Sequence, residues 1–151
     1  MIHFKIQGRI KNKILVEQYI ASILRELNIH RLRRPCIVIE FTSTLANHNL
    51  GSCVGDSDFA FVSVARFSEN NPIAFSEQLQ ALAHELVHAK QYIRGELSYN
   101  TEGDWRWKNR NAGGYRYHNQ PWEREANRLE KILFSKCLPT GLLRGTQLCL
   151  D

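Results

Sequence analysis

A chain of 151 residues, 43% hydrophobic and 23% charged, has apolar material for one domain with a modest core and is too apolar for a disordered polymer. No apolar run approaches the ~20 residues of a membrane span, and the opening "MIHFKIQGRIKNK" lacks the apolar stretch of a signal peptide, so a cytoplasmic protein with no membrane partner is expected. The net charge of +5 leans towards acidic or nucleic-acid neighbours, and the scattered Cys36, Cys53, Cys137 and Cys149 form no C-x-x-C pair, which favours reduced thiols over a zinc ribbon.

Residues 2–6, "IHFKI", alternate apolar and polar, predicting a short half-buried strand. Asn12 stands where a helix cap would, ahead of Val16, Ile20, Ile23, Leu24 and Leu27 at helical spacing. The β-branched run "PCIVIEFTS" at 35–43 predicts a second strand. "LANHNLGSCVGDSD" is rich in turn formers, with Gly51 and Gly55 as breakers, so it reads as a loop carrying His48 and Cys53. "FAFVSVAR" at 59–66 predicts another strand. After Pro72, the residues Phe75, Leu79, Leu82, Leu86 and Ile93 form one helical stripe that Gly95 should stop.

The arm at 96–120 is polar and aromatic, and in it "DWRWK" and "YRYH" flank "NRNAGG". Aromatic and basic residues alternate on both sides, predicting a β-hairpin. Its aromatic face should pack on the domain, while Arg106, Lys108 and Arg116 meet solvent, nucleic acid or an acidic protein. Pro121 opens a last helix with Ala126, Leu129 and Leu133 on one face, and the tail "LPTGLLRGTQLCLD" is partly apolar. The order of elements predicts a single α+β domain over 1–151, a short twisted sheet with two or three helices packed on it.

Within the long helix lies "HELVH". Residues four apart on a helix are about 6 Å apart in height and share a side, so His84 and His88 can grip one metal ion. Glu85, rotated by about 100°, matches the general base of an H-E-x-x-H site. A catalytic zinc takes three protein ligands and leaves a place for water, so a third donor is required. Glu123 in "PWEREAN" is the first choice, because Ala126 permits a close approach and Asn127, one turn on, can hydrogen-bond a ligand. A carboxylate there also suits a helix N-terminus as plain charge compensation. Glu125 and His118 are the substitutes, and Tyr117 and His118 are candidate donors to an oxyanion.

"HELVH" followed by "EREAN" resembles the gluzincin branch of zinc metallopeptidases, and the E-x-x-A spacing of Glu123 to Ala126 is similar to that of its glutamate helix. "HELVHAKQYIRGEL…QPWEREA" is similar to small phage-type metallopeptidases grouped with SprT-like domains, and "E-x-E-A-N" to ImmA/IrrE-like proteases. The resemblance covers residues 75–135, and no cysteine zinc ribbon follows as it does in SprT proteins. It implies a zincin-like fold, a peptide or protein substrate, Zn2+ held by His84, His88 and Glu123, and Glu85 as base. It also implies a cleft-side edge strand, placed at "FAFVSVAR", that pairs with extended substrate. The rival expectation is a nucleic-acid- or protein-binding module whose metal is structural or catalytically silent.

Overall fold

The computed structural model describes residues 1–143. The sheet comprises β1 (His3–Gln7), β2 (Cys36–Thr42), β3 (Gly51–Gly55) and β4 (Phe59–Ala65) in the order β1-β2-β4-β3. β1, β2 and β4 are parallel, and β3 runs antiparallel to β4. Ile37, Ile39, Phe41, Ala60, Val62 and Val64 turn one way and are at most 2% exposed, whereas Val38, Glu40 and Phe61 on the other face are only half-buried. The alternation follows from the two-residue period of a strand with one covered face.

β3 corrects two expectations. The segment read as a loop is a strand, and β4, expected at the edge, has a neighbour on each side, so the free edge belongs to β3. Close packing explains why β3 lacks a strand-like sequence. A Cβ at Gly55 would lie 2.5 Å from the Phe59 carbonyl oxygen, and one at Gly51 would lie 2.8 Å from Cγ of Glu85. Small residues chosen for close approach erase the β-branched signal.

A ribbon of β5 (Phe67–Ser68) and β6 (Asn71–Pro72) leads from the sheet into α2 (Phe75–Ile93). With α1 (Lys13–Glu26) and α3 (Pro121–Cys137), α2 shares one hydrophobic cluster with the covered sheet face. Tyr19 ties α1 to α2 by donating to the Leu79 carbonyl at 2.7 Å. Asn12 is at the expected cap position, but its side chain makes no capping bond; the residue is left-handed (φ 54°) and its carbonyl accepts from the Val16 N–H. Gly95 does end α2: at φ 73° it donates to Tyr92, and Glu96 donates to Gln91, the paired bonds of a Schellman motif.

The arm forms a three-stranded antiparallel ribbon of β7 (Leu97–Tyr99), β8 (Trp105–Trp107) and β9 (Arg110–Asn111). The expected pairing of "DWRWK" with "YRYH" is therefore corrected. Lys108 and Asn109 both adopt positive φ, 49° and 67°, and turn the chain back before "NAGG" is reached. The aromatic face packs down: Trp105 and Trp107 lie 5.8 and 6.1 Å from Trp122 between ring centroids. Two of the basic residues are engaged locally, Arg106 with the Asn109 carbonyl and Lys108 over the Trp107 ring. Cys36, Cys53 and Cys137 are free thiols, while Cys149 and the tail beyond Leu143 lie outside the described residues. Among the described residues no helix is long and apolar enough to cross a membrane.

Candidate metal centre

α2 and α3 pack against each other, and Leu82, Leu86, Ala126 and Leu133 share one hydrophobic cluster, all at most 4% exposed. Pro121 fixes the first turn of α3, which sets Glu123 against the histidine side of α2. His84 Nε2 and His88 Nε2 are 3.2 Å apart. The Glu123 carboxylate spans both, Oε2 at 3.0 Å from His84 Nε2 and Oε1 at 2.9 Å from His88 Nε2. The ligand atoms of the three residues lie within 4.8 Å of one another, and together these residues could hold a metal ion.

The far nitrogens decide what the near ones can do. Gln91, fully buried, gives its Nε2 to the Trp122 carbonyl at 3.0 Å and to Glu125 Oε1 at 3.1 Å. Both partners only accept, so the amide turns its oxygen to His88 Nδ1 at 2.8 Å, and Nδ1 carries the proton. His84 Nδ1 faces Glu130 Oε1 at 3.5 Å, again an acceptor. Neutral imidazoles held this way point two bare Nε2 lone pairs at each other and at a carboxylate. Only added protons or a cation relieves that arrangement. Ligand atoms about 2.1 Å from one tetrahedral ion are ~3.4 Å apart, close to the spacing seen here, so the donor set fits a metal.

Electrostatics among these protein groups agrees. Burial pulls the His84 and His88 pKa values down, but hydrogen bonding to Glu123 and the nearby carboxylates outweigh it, and both titrate above the usual 6.5. Burial works against Glu123, yet the two imidazoles hold its carboxyl well below the usual 4.5. Glu85 goes the other way: burial pushes its carboxyl above 4.5, only partly opposed by His88 and His84. Glu85 is 8% exposed and has no hydrogen bond among the described residues. It lies against Gly51, whose missing Cβ makes the space, and it opens into a cleft of about 280 Å³ with His84, Tyr117 and Glu130.

The remaining candidates separate. Tyr117 reaches the site: its hydroxyl donates to Glu123 Oε2 at 3.1 Å, and burial of that end together with the carboxylate pushes the phenol up to about 12. His118 does not; it is exposed and outside the triad, because the helical turn at 117–119 sends successive side chains to different sides. Glu125 is not a third donor either, being about 200° round the helix from Glu123 and engaged by Lys90 and Gln91. Asn127 lines the cleft without a hydrogen bond to Glu123 among the described residues. His48 is exposed near Glu69, and Cys53 sits on the inner face of β3, its thiol pushed up by burial and then by Glu85. Sequence reasoning missed Gln91 and Glu130. Both stood at same-side helical spacings, three residues after His88 and seven after Glu123. In comparison with known proteins, no family model and no curated protein matches this chain.

Proposed function

We propose that the protein is a zinc-dependent metallopeptidase of gluzincin type, with His84, His88 and Glu123 as ligands and Glu85 as general base. The observation that supports it most is Glu85, a buried carboxylate without a hydrogen-bonding partner among the described residues, beside three donors that could hold a metal. A structural site closes with four protein ligands and has no use for such a group. Two imidazoles and one carboxylate with a position left open suit zinc. When bound, the ion supplies Lewis acidity towards a carbonyl and a water.

The chain's own residues supply the proton traffic and the alignment. Glu85, its affinity for protons raised by burial, takes a proton from the attacking water and delivers it to the departing amine nitrogen. Tyr117 turns its hydroxyl from Glu123 to the carbonyl oxygen as negative charge grows there. Gln91 and Glu130 keep the imidazoles oriented. The bonds Ala65 N–H to Leu50 and Asp56 N–H to Phe59 fix which residues of β3 face β4. By alternation, Gly51 directs its N–H and C=O to the free edge, where an extended substrate pairs and passes Glu85.

The test is Glu85→Gln. Zinc stoichiometry should be unchanged while cleavage of casein or of the chain itself falls by about 10²-fold or more. Cleavage at the wild-type rate in that variant would rule out Glu85 as the base and with it the mechanism proposed here.

A further inference from the structure

The cleft beside the triad carries one sign of charge. Glu77, Glu85 and Glu130 line it and, among the described residues, no lysine or arginine does, although the chain has 20 Lys and Arg against 15 Asp and Glu. Composition alone would favour the opposite. The carboxylates come from facing stripes: Glu77, Ala81 and His84 at successive turns of α2, and Glu123, Asn127 and Glu130 at successive turns of α3. Glu77 is exposed and has no ion pair among the described residues. Glu85 is more than nine-tenths buried, opens into the same cleft and has no hydrogen bond there. An acidic side chain placed between Glu77 and Glu130, on the Nδ1 side of His84 and away from the donor set, would meet carboxylates, whereas a cation would find partners on both walls.

We propose that the cleft selects its substrate by a cationic side chain: a peptide with lysine or arginine beside the bond that is cut, drawn to Glu77 and Glu130. This rests on the peptidase reading, and deepens it by naming the substrate class. The basic surface of the protein and the acidic cleft then have opposite roles. The surface is repelled by a basic polypeptide, and the cleft alone holds it.

Two arms test this with the full chain loaded with zinc. In the first, wild type is given a synthetic peptide mixture and the cut sites are read by mass spectrometry. Sites flanked by lysine or arginine should exceed those flanked by glutamate by about tenfold, and Glu77→Lys should shift the preference towards glutamate. In the second, Glu85→Gln is titrated by fluorescence anisotropy with a labelled lysine–alanine decapeptide and its glutamate–alanine counterpart; the lysine peptide should bind about tenfold more tightly. Cutting without charge preference, or a preference that Glu77→Lys leaves untouched, overturns the inference and leaves the peptidase reading standing. Selective binding of the lysine peptide with no cutting by wild type keeps the inference about the cleft and defeats the peptidase reading. Neither binding nor cutting defeats both.

Discussion

Replacing Gly51 by alanine is the sharpest single perturbation of Glu85 that does not touch Glu85 itself. The new Cβ would stand 2.8 Å from Glu85 Cγ and 3.1 Å from Oε1, where ordinary contact begins near 3.4 Å. The side chain must therefore retreat by about 0.6 Å at Cγ. It has little freedom to do so, since Leu82 and Leu86 hold α2 in place with no exposed surface. Overpacking of this kind costs about 1–3 kcal/mol. At about 2–4 °C per kcal/mol for a domain of this size, the melting temperature should fall by roughly 2–12 °C. On the proposed mechanism, displacing Glu85 by a sizeable part of an ångström should lower peptide cleavage by up to ~10²-fold. Zinc affinity, measured by competition with a chromophoric chelator, should stay within about twofold, because the three atoms nearest the new Cβ all belong to Glu85, which is not one of the three donors. The control is Gly51→Ala combined with Glu85→Ala, which removes Cγ. The stability lost to the clash should be regained in the double variant. A Gly51→Ala protein as stable and as active as wild type would refute the claim that β3 positions Glu85.

Other expectations follow from the same geometry. Glu123→Ala should weaken zinc binding by more than the ~10–100-fold that loss of an outer partner costs, and retained stoichiometric zinc at unchanged affinity would contradict its role as a ligand. Gln91→Leu should weaken zinc about 10–100-fold by freeing the His88 ring, and should lower stability by about 1–3 kcal/mol in thermal melts by stranding the Trp122 carbonyl. In chelator-treated protein the triad should stabilise only a window of pH. The raised His84 and His88 contribute fully below the unfolded value of 6.5 and lose this as pH rises through their folded values. The lowered Glu123 contributes above 4.5 and loses this as pH falls through its folded value. Melting temperature should peak between the two, whereas zinc affinity should rise steadily with pH through the histidine range; a flat zinc titration would show that zinc does not displace protons from the histidines.

Legibility followed the physics of each part. The helices were plain because stripes such as Phe75, Leu79, Leu82 and Leu86 repeat over many turns, and long periodic signals survive tertiary override. His84, His88 and Glu123 could be named together because each helix imposes a fixed side on its residues. β3 was invisible because its role is closeness, which selects glycine, serine and cysteine instead of strand formers. The arm misled for a related reason. Its hairpin closes at Lys108 and Asn109 in left-handed backbone, a turn that the showier "NAGG" masks. His118 and Tyr117 were adjacent in sequence and equally plausible as donors, and only the tight helical turn at 117–119 separates them.

Lys90 touches Glu96 at 2.7 Å and Glu125 at 3.1 Å. One ammonium thus pins the chain where it leaves α2 and again where α3 has begun. The arm is an excursion whose departure and return share a single fastening, and none of the three candidate metal donors lies on it. Backbone opened at the exposed Gly113–Gly114 would leave two fragments still joined through the α2–α3 interface. The protein therefore has a natural place for new termini or an inserted module, with the ligand geometry carried entirely by the two helices that stay behind.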